Sequence, residues 1–215
     1  MGAIARNIAN NITTSGVFTS SAIANSSVTG ITVLAGVSDG ITFISSQTAN
    51  NSASLSFTSG LDSTYKAYKF VFSLIQPRTD NVQFEFNMST DSGSNYNVTK
   101  TSTYFYAYHL ENDSSAVLTY EGSYDLAQST SFQTLSNNLG NGADECCIGT
   151  LTLFNPSSTT YVKHFISNIN QYDRGDISVN TFMAGYGNTT SAVNAIRFQM
   201  SSGNFDGKIY LYGIK

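Results

Sequence analysis

The sequence predicts an all-β protein: an antiparallel β-sandwich of jelly-roll type, preceded by an N-terminal arm with a short helix. After residue 40, apolar and polar residues alternate with a period of two in many short segments, as in half-buried strands. Clusters of Gly, Pro, Asn, Asp and Ser separate these segments, as turns do. No amphipathic helix of ordinary length lies between them, which excludes repeated strand–helix–strand units. We therefore expect an attachment arm at 1–40 and one sandwich domain at 41–215.

Residues 147–170 contain the strongest single signal, two β-rich runs joined by the turn Asn155-Pro156-Ser157-Ser158. Proline fixes φ, and the Asn and Ser side chains bond to nearby backbone, so this cluster predicts a hairpin. In the second run, Lys163 and Phe165 share one face, and both faces are partly apolar. A strand in the middle of a sheet has this pattern.

The remaining segments predict about ten strands in total, at the spacing of a sandwich. Residues 82–88 show the cleanest alternation, with Val, Phe, Phe and Met on one face. The other predicted strands begin at 41 or lie at 53–58, 68–74, 103–109, 117–124, 132–135, 177–186, 192–200 and 208–214.

Few charges cover this chain: 11% of the residues are charged, against about 25% in ordinary soluble domains. Ser, Thr, Asn and Gln must therefore form much of the surface, while 13 Tyr and 14 Phe argue against disorder. The net charge of −4 argues against a nucleic-acid partner, which would require a basic face. No apolar run is long enough for membrane insertion.

The first residues predict a short helix, because Ile4, Ile8 and Ile12 recur at a spacing of four. So short a helix is marginal in water and needs a surface to lie on. Val17 and Phe18 follow in a stretch without a clear period. We expect an arm whose apolar residues bind a partner protein. Irregular edge strands of the main domain are the alternative.

One turn has a recognisable composition, Ser89-Thr90-Asp91-Ser92-Gly93-Ser94-Asn95-Tyr96. It resembles the Asp-box of sialidase propellers, in which Asp and Gly fold a hairpin turn and have no catalytic role. A propeller would repeat the motif in every blade, and this chain has it once. A calcium site at Asp91 and Asn95 would lack further carboxylates, so we expect no metal.

Chemistry-bearing residues are sparse, and we expect no catalytic residues, no cofactor and no enzymatic activity. His109 and His164 lie on predicted strands without a nucleophile at a recognised spacing. His164 is expected to be a core histidine. Cys146 and Cys147 are adjacent, point to opposite strand faces and are expected to be free thiols, one of them buried.

A ladder of tyrosines, Tyr104, Tyr106 and Tyr108, lies on one face of a predicted strand. Tyrosine offers an apolar ring and a hydroxyl group, so the ladder could contact a glycan or a neighbouring subunit. The third alternative is that it faces inward and belongs to the core. Interface or core is favoured over glycan contact.

Four segments resemble virion structural proteins, capsid-decorating or fibre-like, of tailed and especially marine bacteriophages. The resemblance covers roughly residues 40–215 and implies a virion component without an active site. It does not distinguish head from tail. The segments are DSGSNYNVTKTSTYFYAYH, YDLAQSTSFQTLSNNLGN, GTLTLFNPSSTTYVKHFIS and MAGYGNTTSAVNAIRFQMSSGNFDGKIYLYGI.

The favoured function is decoration of the capsid surface through the N-terminal arm, with other virion proteins as partners. A polar, uncharged surface tolerates crowding on a shell. Low charge and exposed aromatics favour a symmetric oligomer, a homotrimer above all. The protein would reach the virion after assembly in the host cytoplasm. The alternative function is that of a tail fibre or appendage that binds host surface glycans.

Overall fold

Twelve β-strands and no helix make up residues 40–215, the part of the chain that the computed structural model describes. The predicted all-β class is thereby confirmed for these residues. The strands are β1 (Ile41–Ser52), β2 (Ser54–Phe57), β3 (Ala67–Pro77), β4 (Val82–Ser89), β5 (Lys100–Leu110), β6 (Ala116–Tyr120), β7 (Gln133–Leu139), β8 (Cys147–Phe154), β9 (Lys163–Asp173), β10 (Ile177–Gly187), β11 (Ala195–Met200) and β12 (Phe205–Ile214).

The strands form two antiparallel sheets. The larger sheet has eight strands in the order β1-β12-β3-β8-β9-β10-β5-β6, and the smaller has four in the order β2-β11-β4-β7. The predicted hairpin is confirmed as β8 and β9, which lie fourth and fifth in the larger sheet. β9 therefore pairs with a strand on each side, but only one of its faces, which carries Phe165 and Ile169, is buried.

The core lies between the sheets, and phenylalanine is the residue that occurs most often in it. Phe198 of β11 lies at its centre, with ring centroids 5.2 Å from Phe70 and Phe72 of the larger sheet. Phe84, on the neighbouring strand β4, stacks on it at 6.0 Å. Successive side chains of a strand point to opposite faces of the sheet, so the period of two in the sequence places these rings in the same layer.

Several strand ends differ from the expectations for a physical reason. The strand predicted at 117–124 ends at Tyr120, because a turn closed by the Tyr124 N–H donating to the Glu121 carbonyl follows it. β7 continues to Leu139, beyond the predicted end at 135, because polar residues such as Ser136 and Asn137 are buried and hydrogen-bonded. A strand whose buried side chains are polar shows no hydrophobic alternation in the sequence, so its full length is not predicted.

Candidate interaction surface

One face of the eight-stranded sheet packs on the smaller sheet, and its other face is uncovered within residues 40–215. We call this the open face. Large apolar side chains lie exposed near its β6 end, with exposed fractions of 39% to 72%. These side chains, the apolar patch, are Phe105, Leu118, Tyr120, Ile166 and Phe182.

Strand register brings the members of the apolar patch together. Phe105 of β5 lies opposite Phe182 of β10 on one side and opposite Tyr120 of β6 on the other. The rings of Phe105 and Phe182 stack at 5.3 Å between centroids, with 13° between their planes. Because offset-stacked rings attract each other, this pair forms one continuous aromatic surface at the centre of the patch.

Beside this stack lies a shallow depression of about 440 Å³. The small residues Ala184 and Gly185 of β10 form its floor. Gly185 is required by packing, since a Cβ there would lie 2.4 Å from the Thr101 carbonyl oxygen and 2.8 Å from the ring of Phe165. The open face thus combines a flat aromatic surface with a neighbouring concavity.

His164 forms part of the rim of this depression, which corrects the expectation of a core histidine. Its side chain is exposed on the open face, and its ring centroid lies 6.1 Å from that of Tyr186. Lys163 and Phe165 occupy the buried face of the same strand. The alternation along β9 therefore places His164 outside, and its apolar neighbours misled the sequence argument.

The tyrosine ladder lies on the opposite side of β5 from Phe105. Tyr104 is fully buried and donates a hydrogen bond to Asn137 Oδ1 at 3.0 Å, so it belongs to the core and is not available to a glycan or a subunit. Burial raises the pKa of its phenol. Tyr106 and Tyr108 are half-buried, and their contact with a partner stays a prediction. The exposed aromatic side of β5 is the Phe105 side.

The Asp91 turn is closed by its own side chains. The Asp91 carboxylate accepts hydrogen bonds from Ser89 Oγ at 2.6 Å, from the Asn95 N–H at 2.8 Å and from Asn95 Nδ2 at 2.7 Å. These bonds lower the pKa of Asp91 to about 2. The carboxylate therefore stabilises the turn, as the likeness to an Asp-box implies.

Two ionisable side chains that the sequence argument did not name, Lys100 and Glu85, are buried or half-buried. Lys100 is fully buried, and its ammonium group donates to Asn87 Oδ1 at 2.6 Å and to the Val98 carbonyl at 2.8 Å. Burial lowers the pKa of Lys100 to about 7 and raises that of Glu85 to about 7. Lys163 is held by backbone carbonyls in the same way. The strand period alone would have placed both lysines on inward faces.

The cysteines are both unpaired in the structure, with Cys147 buried and Cys146 half-buried. Burial raises the pKa of each thiol, which keeps it protonated and weakly nucleophilic. His109 hydrogen-bonds Asp113 at 3.0 Å in the exposed turn after β5. The structure does not bring the two histidines and the two cysteines together into one site.

The expected arm residues Ile4, Ile8, Ile12, Val17 and Phe18 lie outside the described residues. Within residues 40–215, no group of three or more His, Cys, Asp or Glu side chains could hold a metal ion. In the same range, no helix is long and apolar enough to cross a membrane.

No protein-family model, no curated protein and no solved structure matches this chain. The resemblance to phage virion proteins therefore stays a prediction. The fold and the surface together define a class of protein, one with two packed antiparallel sheets and an exposed aromatic face.

Proposed function

We propose that this chain is a non-enzymatic structural protein of a bacteriophage virion that decorates the capsid surface through its N-terminal arm. The observation that carries the proposal is the apolar patch on the open face. Contiguous exposed apolar surface of this kind marks interaction sites in soluble proteins. Other virion proteins, or further copies of this chain, are the partners that the patch would contact.

The strand order supports a jelly-roll fold, which many viral capsid proteins use. The first strand of the chain pairs with the last, and the following strands pair in the same nested order toward the middle of the chain. The four antiparallel pairs are β1–β12, β2–β11, β3–β8 and β4–β7. A single long antiparallel ribbon rolled on itself gives this pairing. The hairpins β5–β6 and β9–β10 are then insertions that widen one sheet and carry all five residues of the apolar patch.

The composition of the open face suits a crowded protein shell. The members of the apolar patch are uncharged, and polar neighbours such as Asn168 and Asn180 bond to each other at 3.1 Å. Neighbouring copies could approach without like-charge repulsion. An uncharged apolar patch with an aromatic centre has the composition of a protein interface core.

Incorporation into phage particles tests the proposal. We expect deletion of residues 1–15 to leave a folded domain that no longer joins particles, because the arm is the proposed anchor. The double change Phe105→Ser and Phe182→Ser should reduce incorporation by removing the stacked pair. Ser178→Ala, an exposed change on the same strand and face as Phe182, is the matched control. Normal incorporation of both altered proteins would contradict the proposal.

A second candidate function is the binding of host glycans by a tail appendage. The depression beside the Phe105–Phe182 stack favours it, because sugars stack on aromatic rings and Tyr186 lies in its lining. Binding of the purified protein to a glycan array, lost in Tyr186→Ala, would support this function. Absence of binding at high protein concentration would leave capsid decoration as the only candidate.

A further inference from the structure

The end of the larger sheet at β6 is an open strand edge. No strand of residues 40–215 lies beyond β6 in the sheet order. The ladder with β5 is flanked by two hydrogen bonds, from the Leu110 N–H to the Ser115 carbonyl and from the Glu121 N–H to the Tyr104 carbonyl. Because inward and outward groups alternate along an antiparallel strand, Ala116, Leu118 and Tyr120 direct their N–H and C=O groups away from the sheet.

Unprotected edges of this kind pair with other strands, and proteins usually blunt them with bulges, charges or covering groups. The other three edges in the described sheets carry such features. The pairings of β1 with β12 and of β4 with β7 both contain register irregularities. At β2, the side chain of Gln47 donates to the Ser56 carbonyl at 2.8 Å.

Within residues 40–215, no register irregularity and no charged residue protects β6. Its ladder with β5 is regular over all five residues, Ala-Val-Leu-Thr-Tyr, and none of these is charged or proline. Four of the five are exposed, Leu118 to 72%. Among the described residues, the Thr119 hydroxyl alone reaches an outward backbone group of β6, donating to the Tyr120 carbonyl at 3.2 Å. Such a strand is a template for an additional strand.

We infer that β6 pairs antiparallel with β6 of a second copy of this chain, about a two-fold axis at Leu118. With Leu118 opposite Leu118 and Ala116 opposite Tyr120, every outward backbone group of β6 meets an outward group of the other copy. Shifting the axis to Val117 would instead set Tyr120 against Ser114, whose N–H already bonds Asn112 Oδ1. The geometry therefore favours the Leu118-centred register.

Side chains support the same pairing. Leu118 and Tyr120 lie on the open face, where Tyr120 is opposite Phe105. Pairing across β6 would join the apolar patches of the two copies into one continuous surface. Glu121 would lie opposite Ser115, so no like charges meet in the ladder. A two-fold contact builds dimers or larger even-numbered assemblies, and it cannot close the trimer expected from composition.

The experiment measures the mass of the full-length chain by light scattering at micromolar concentration. We expect a dimer, or an even multiple such as a hexamer. Leu118→Pro should dissociate the pair, since it removes an outward N–H that β5 does not use. Leu118→Thr keeps that N–H and is the matched control, which should remain associated. Cooperative thermal unfolding of both variants would show that both fold.

A charge exchange tests the register. Leu118→Lys and Leu118→Glu should each be monomeric, with the dissociation constant raised more than about tenfold by like charges placed opposite each other. Mixing the two variants should restore a heterodimer. Amide hydrogen exchange should be slow at Leu118 in the wild-type chain and fast in both charged variants.

A monomer, a trimer or an assembly that Leu118→Pro leaves intact would overturn the inference. A monomer with slow exchange at Leu118 would show that residues 1–39 of the same chain cover the edge, which also overturns it. The inference does not depend on the virion role, because it concerns the purified protein. Failure of particle incorporation would leave it standing.

Discussion

Phe198 shows how much of the stability of this fold depends on single aromatic side chains. Its ring is fully buried and contacts Phe70 and Phe72 across the sheets. We predict that Phe198→Ala lowers the free energy of unfolding by about 3–5 kcal/mol, because it leaves a cavity that neighbours fill poorly. Phe182→Ala is the matched control, since Phe182 is 40% exposed on the open face. Urea denaturation measures both, and equal losses would contradict this account of the core.

Glu85 should make stability depend on pH in the acid range. Burial raises its folded-state pKa from 4.5 to about 7, so the folded protein favours the protonated form. Protonated Glu85 therefore contributes to the free energy of unfolding. This contribution is fully present below the pKa of Glu85 in the unfolded chain, and it is lost as pH rises through about 7. We predict that the free energy of unfolding falls less over this window in Glu85→Gln than in the wild type. Denaturation at several pH values measures the slope, and an unchanged slope in Glu85→Gln would contradict the prediction.

At the residue scale, the sequence predicted inward and outward positions better than it predicted roles. Strand alternation placed Lys163 on the same face as Phe165, where it is buried. It did not determine whether the tyrosine ladder belongs to the core, to a subunit interface or to a glycan contact. The contact with Asn137 in the structure assigns Tyr104 to the core. His164 was assigned to the core because its neighbours are apolar, although the period of two places it on the face opposite to Phe165, which is the exposed one.

At the element scale, the turn between β4 and β5 depends on one carboxylate. Asp91 accepts three side-chain and backbone hydrogen bonds, which hold its pKa near 2. We predict that Asp91→Ala lowers the melting temperature at neutral pH and that this difference shrinks as pH falls toward 2, where the wild-type carboxylate becomes protonated. Thr90→Ala, at an exposed position in the same turn, is the control. A difference that persists at the lowest pH would contradict the prediction.

Strands with strict alternation were the elements most accessible to sequence reasoning. β4 and the β8–β9 hairpin were predicted close to their observed bounds because their turn residues and periods agree. β7 was predicted too short, because buried Ser136 and Asn137 look like surface residues in the sequence. The pairing of β1 with β12 could not be predicted, since no local signal records which strands meet over so large a separation.

At the scale of the whole molecule, the chain wraps a phenylalanine core between two sheets and leaves one broad face uncovered in residues 40–215. The prediction of two packed sheets followed from the period and the turns. The width of the larger sheet could not be predicted from these patterns. It arises because the hairpins β5–β6 and β9–β10 extend the sheet on the same side. That extension places Phe105 beside Phe182, and so the apolar patch could not be located from the sequence.

The central claim is that this chain is a stoichiometric component of a phage shell. The most direct measurement is its copy number in purified virions, determined by quantitative mass spectrometry against the major shell protein. Capsid decoration predicts a copy number comparable with that of the shell protein. A copy number that is a small fraction of it would indicate a tail appendage, and complete absence from the particles would contradict a virion role altogether.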